Sequence, residues 1–140
     1  MPFKIVRNDI TCMQVDAVVN TAHRWACVGS GVDTAIHTKA GPQLLEARKT
    51  IGKISVGNVA VTPALNLPAR FVIHAVSPVW WKGDHEEAKY LLRCCYDNAL
   101  NAALQYGCES VAFPLPFQLN SGQDSIKYHP LKSFLQVRSF

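Results

Sequence analysis

Apolar and polar positions change rhythm several times along this chain. "FKIVRN", residues 3 to 8, alternates with period two and reads as a strand. "VDAVVN", residues 15 to 20, is almost continuously apolar with three valines, which predicts a central strand buried on both faces. Small and apolar residues at 32, 35, 36 and 40 then follow helical spacing. Gly41 closes that helix, and Pro42 opens a second one through "QLLEARKTI". "GNVAVTPA" and "RFVIHAVSP" return to strand patterning, separated by a Leu-Pro turn and ended by Pro78.

The longest helical pattern runs from Asp84 to about Tyr106. Ala88, Leu91, Leu92, Cys95, Ala99, Ala102, Ala103 and Tyr106 share its apolar face, Asp84 and Glu87 have capping-box spacing, and Gly107 follows its end. "SVAFPLPF", residues 110 to 117, begins as another buried strand, with a loop placed at its carboxyl end by Phe113 and Pro114. Strands that alternate with helices in this order predict an α/β sandwich.

Composition narrows the class. The chain has 140 residues, enough for one domain with a real core, and 49% hydrophobic against 17% charged residues is a globular composition. No apolar run approaches the roughly 20 residues of a membrane helix. "MPFKIVRNDI" alternates where a signal peptide would be continuously apolar, so a soluble cytoplasmic protein is expected. Cys12, Cys27, Cys94, Cys95 and Cys108 show no CxxC spacing and include an adjacent pair, which points to buried free thiols rather than a zinc site or a disulfide framework. A net charge of +4 and a pI near 8.9 favour an anionic partner. The basic residues are scattered, however, so nucleic acid and nucleotide both stay open.

"VGSGVDTAIH", residues 28 to 37, carries the candidate chemistry. It lies between a strand and a helix, where backbone N–H groups and the helix dipole converge on one spot. Gly29 and Gly31 permit close approach of backbone to an anion and a turn of positive φ. The fit to a GxGxxG fingerprint is poor, with Thr34 at the third glycine and a long loop after Asn20. By itself this loop reads equally well as a phosphate cradle or as a connection without ligand.

"NDIT" at 8 to 11, "VDAVVNTAH" at 15 to 23, "GSGVDTAIHTKAGP" at 29 to 42, "LPARFVIHAVSP" at 67 to 78 and "ESVAFP" at 109 to 114 together resemble the macro domain, a family that recognises ADP-ribose. The resemblance covers residues 3 to 114. It implies a three-layer α/β/α sandwich with a mixed, mostly parallel sheet and an ADP-ribose cleft at the strand ends. Asp9 then matches the acceptor of the adenine amino group, with the backbone of Ile10 beside it; a turn or cap is the alternative for Asp9. Gly29, Ser30, Gly31 and Val32 match the first diphosphate loop, with Val28 and Ser30 as departures from its glycine run. Asp33 matches the residue that positions or activates a water in the hydrolytic branch, although an aspartate in a first helical turn also stabilises the helix alone.

Asn20 matches the first asparagine of the "VNAAN"-type motif and is expected to brace the loop. His23 replaces the second asparagine, near the distal ribose. His37 and His74, in apolar contexts, are expected to be packed structural residues.

The tail departs further. In "LPFQLNSGQDSIKYHP", Ser121 and Gly122, then Tyr128 and Pro130, match a second diphosphate loop of the "SxGxYGYP" type with insertions, and "PLKSFLQVRSF" reads as the start of a helix with Leu131, Phe134 and Leu135 on one face. The whole chain, 1 to 140, is expected to be one macro-like domain whose segment 115 to 140 lacks the usual last strand and helix. Either the sheet ends in an exposed edge that invites dimerisation, or the chain is truncated or out of frame after Leu115.

Three functions follow, in order: recognition of ADP-ribose or an ADP-ribosylated protein; weak ADP-ribosyl-ester hydrolysis or O-acetyl-ADP-ribose deacetylation; and nucleic-acid binding or a structural role. No metal or redox cofactor is implied.

Overall fold

The computed structural model describes residues 3–79, 85–114 and 134–138. Its strands are β1 (Phe3–Val6), β2 (Ala17–Thr21), β3 (Val59–Pro63), β4 (Phe71–Ala75), β5 (Ser110–Pro114) and β6 (Phe134–Arg138). They form a single sheet in the order β1-β6-β5-β2-β4-β3. The helices are α1 (Val32–Ala40), α2 (Gln43–Ile51) and α3 (His85–Gln105), with a 3-10 turn at Ile10–Cys12.

Alternation along the strands assigns the layers. Val18, Val72 and Ala112 pack with Val32, Ile36, Ala40 and Leu44 of α1 and α2. Ala17, Val19, Ile73, Ala75, Val111 and Phe113 pack with Cys95, Ala99 and Ala103 of α3. The near-continuous apolar run of β2 is thus explained by helices on both faces, and the fold is the expected three-layer α/β/α sandwich. By the same alternation Asn20 and His74, paired in register, face the α1 side.

Register also fixes which loops meet. β2 runs parallel to β4 and β5, while β6 is antiparallel to both β5 and β1. The carboxyl ends of β1, β2, β4 and β5 therefore share one edge of the sheet. Phe134 pairs with both Val6 and Pro114, which brings the segment after Val6 level with the end of β5. Asp9 and the loop after Asn20 consequently leave the sheet on the same side.

Several expectations need correction. Residues 134–138 form a strand where a helix was expected: Leu135 and Val137 alternate with Gln136 and Arg138, a period-two pattern, and the segment pairs on both sides. β6 pairs on the side of β5 away from β2, and the outer strands among the described residues are β1 and β3. The cysteines are free, but Cys12 and Cys27 are exposed rather than buried. The expected capping residue Asp84 and the second-loop residues Ser121, Gly122, Tyr128 and Pro130 lie outside the described residues. No helix among the described residues is long and apolar enough to cross a membrane.

Candidate functional site

The site begins with a glycine turn whose two glycines do different work. Gly31 stands at the N-cap of α1 with φ 65° and ψ −124°, a conformation that a side chain opposes. Gly29 has no such backbone requirement. A Cβ there would instead lie 3.1 Å from Asp33 Oδ2, because the chain folds down onto that carboxylate.

Gly29 is held at both ends: its N–H donates to Asp33 Oδ2 at 2.7 Å, and its carbonyl accepts from Thr34 Oγ1 at 2.7 Å. Its N–H is therefore committed to a bond inside the protein. The N–H groups of Ser30, Gly31 and Val32 take no acceptor among the described residues. Together with the dipole of α1 they form the anion-facing end of the turn.

Asp33 is 1% exposed. Its Oδ1 accepts from Asn20 Nδ2 at 2.7 Å and lies 3.3 Å from His37 Nε2. Burial alone would raise its pKa, yet the hydrogen bonds from His37, Asn20 and Gly29 outweigh that cost and hold the carboxyl below its ordinary value. Both oxygens accept hydrogen bonds, so this carboxylate braces the turn.

The brace continues into the sheet. Asn20 Nδ2 can only donate, and it lies 3.2 Å from His74 Nδ1, so Nδ1 carries the lone pair. The His74 proton then sits on Nε2 and is donated to Thr62 Oγ1 at 2.8 Å. Burial, followed by the charge of Arg48, pushes the His74 pKa down to about 3, which keeps the ring neutral. Asn20 braces the loop as expected. His37 and His74 are packed, and they are also members of this polar chain.

Arg48 was missed. It is 1% exposed on α2, and its Nη2 donates to the carbonyls of His23 at 2.8 Å and Trp25 at 2.9 Å, anchoring the loop between β2 and the glycine turn. Burial lowers its pKa, while the nearby Asp33 carboxylate opposes that shift. A signal existed: Arg48 follows Leu44 by one helical turn, so a charged residue stood at a core-facing position of α2. The same loop is pinned by the bonds from Ala22 N–H to the Ala75 carbonyl (2.9 Å) and from Ile54 N–H to the Arg24 carbonyl (2.9 Å).

Asp9 lies at the other end of the edge. Its Oδ1 caps the 3-10 turn, accepting from Thr11 N–H at 2.9 Å and from Thr11 Oγ1 at 2.8 Å. Its Oδ2 takes no hydrogen bond among the described residues, and the adjacent Ile10 N–H takes no acceptor there. The Ile10 side chain is buried in the α1 layer, which fixes this acceptor and donor pair relative to the helix. His23 is exposed on the loop ahead of the glycine turn, where its Nδ1 accepts the Trp25 N–H at 3.2 Å.

Comparison with known proteins extends the match. A profile described as Macro domain matches residues 19–128. A macro domain-containing protein of Chlorobaculum tepidum is 48% identical over 109 residues, covering 78% of this chain and 63% of that protein. A protein of Citrobacter rodentium named O-acetyl-ADP-ribose deacetylase is 47% identical over 114 residues, covering 79% and 64%. The chain thus spans less than two thirds of the length of these relatives. Among solved structures, the Oceanobacillus iheyensis macrodomain with ADP superposes with a TM-score of 0.73 at 32% identity, covering 81% of this chain and 70% of that one. The Trypanosoma brucei macrodomain in complex with ADP gives 0.69 at 40% identity, covering 77% and 44%.

Proposed function

The chain belongs to the Macro domain family, and we propose that the carboxyl edge of its sheet recognises ADP-ribose, free or attached to a protein. One observation carries this reading: strand register places the Asp9–Ile10 pair and the Ser30–Val32 turn on the same edge. A carboxylate oxygen next to a backbone N–H complements the amino group and ring nitrogen of adenine. Three N–H groups that take no acceptor among the described residues, at the start of a nine-residue helix, complement a diphosphate. The complexes of related macrodomains with ADP support the same ligand class.

Hydrolysis is the second reading, favoured by the relatives named O-acetyl-ADP-ribose deacetylase. Asp33 enters it as a positioning residue, because its oxygens are buried and occupied. ADP-ribosyl-ester hydrolysis or deacetylation by this chain is accordingly weak relative to binding. Five free cysteines, two of them exposed, support a reducing, cytoplasmic setting.

Thermal denaturation with increasing ADP-ribose tests the proposal. The melting temperature is expected to rise with ligand concentration, by the equivalent of about 2.7 kcal/mol at a hundredfold excess over Kd. No rise with ADP-ribose, together with a salt-sensitive rise with single-stranded RNA, would replace this reading with nucleic-acid binding.

A further inference from the structure

Cys27 and His23 form a second chemical pair on the loop that leads into the glycine turn, and nothing in the proposed recognition uses it. Cys27 Sγ lies 3.2 Å from His23 Nδ1, and both residues are exposed. The same Nδ1 accepts the Trp25 N–H, so this nitrogen carries the lone pair and the thiol is the donor. The surrounding backbone is fixed by the Cys27 N–H bond to the Trp25 carbonyl at 2.8 Å and by the Arg48 guanidinium on the carbonyls of Trp25 and His23. An exposed thiol that faces an imidazole nitrogen is placed to hand over its proton as the sulfur reacts.

The other thiols lack this combination; Cys94 is only half-exposed. Cys12 is exposed with Lys39 Nζ at 3.5 Å, but an ammonium has no lone pair to receive a proton. Cys95 and Cys108 are buried, and Cys95 donates to the Val76 carbonyl at 3.2 Å.

We propose that Cys27 is a peroxide-reactive thiol, with His23 as its proton acceptor, and that it forms a modification site at the entrance to the glycine turn. Sγ attacks one oxygen of hydrogen peroxide, so that an S–O bond forms as the O–O bond breaks. The thiol proton passes through His23 Nδ1 to the departing hydroxide, which leaves as water. Sulfur loses two electrons, the peroxide gains them, and the product is a sulfenic acid.

The test treats the full chain with hydrogen peroxide in the presence of dimedone and follows each cysteine by peptide mass spectrometry, a readout independent of any nucleotide. Cys27 is expected to be labelled about tenfold faster than Cys12 or Cys94. His23→Ala and His23→Gln, neither of which offers a basic nitrogen, should each slow Cys27 by a similar factor, while Arg24→Ala should leave its rate unchanged. Equal rates at Cys27 and Cys12, or an unchanged rate in both His23 variants, would overturn the proposal.

Discussion

Asp33 holds Gly29: Oδ2 accepts the Gly29 N–H at 2.7 Å, while Oδ1 takes Asn20 Nδ2 at 2.7 Å, so one buried carboxylate ties the end of β2 to the turn before α1. Removing it takes the acceptor from the Gly29 N–H, from Asn20 Nδ2 and from His37 Nε2 at once. Asp33→Ala is expected to cost about 3 kcal/mol of stability in urea denaturation, the usual scale for buried donors left without a charged acceptor. ADP-ribose affinity should fall with it. A variant of unchanged stability and affinity that lost only turnover would instead make Asp33 a catalytic base.

The two glycines separate backbone strain from crowding. Gly31→Ala must place a Cβ at φ 65°, ψ −124°, with a cost of about 1 to 3 kcal/mol, although nothing lies within 4 Å of that Cβ. Gly29→Ala should be felt at Asp33, 3.1 Å away, through displacement of the carboxylate. Melting curves of the two variants are expected to show a loss in both, and only Gly29→Ala should become nearly silent in an Asp33→Ala background.

Arg48→Met keeps the bulk of the side chain and deletes its bonds to the His23 and Trp25 carbonyls. The expected result is a loss of about 2 to 4 kcal/mol and faster amide exchange across residues 22–28. Unchanged exchange in that loop would show that its other anchors suffice.

How much of this was legible depended on whether a residue's task was local. Period-two and helical patterns located β1 to β5 and all three helices, and Gly41 and Pro42 marked the break between α1 and α2, because those signals are carried by neighbours in the chain. The string of motifs gave the edge that carries Asp9 and the glycine turn. The bond from the Gly29 N–H to Asp33 was not legible, since a glycine N–H turned inward and one turned outward look alike in sequence. The His74–Asn20–Asp33 chain and the Arg48 anchor needed tertiary register, which joins positions 20, 33, 48 and 74 across four elements. "FLQVR" was misread because two adjacent apolar residues, Phe134 and Leu135, fit a helical face as well as a strand.

Acid should weaken the fold through His74 first. Its pKa falls from 6.5 to about 3 on folding, so between those values the unfolded chain binds a proton that the folded chain refuses. Stability is full above about pH 6.5 and declines as pH falls toward 3, by about 2 kcal/mol at pH 5. Asp33 acts lower: its pKa is depressed on folding, so its contribution is present above the ordinary carboxylate range and is lost as pH falls below about 4. Urea midpoints at pH 7 and pH 5 should therefore differ in the native chain, and the difference should shrink in His74→Gln. An equal difference in both would remove His74 as its source.

The central claim is that Asp9 with Ile10 and the Ser30–Val32 turn read the two ends of one ligand. Calorimetric titration of the native chain and of Asp9→Ala with ADP-ribose and with AMP tests it most directly. The native chain should bind ADP-ribose at a single site and AMP more weakly, because AMP lacks the diphosphate that the turn accepts. Asp9→Ala should weaken ADP-ribose by about 1 to 3 kcal/mol, the scale of one buried hydrogen-bond partner lost. Absence of heat with ADP-ribose at millimolar concentration, or an affinity that Asp9→Ala leaves unchanged, would contradict the account.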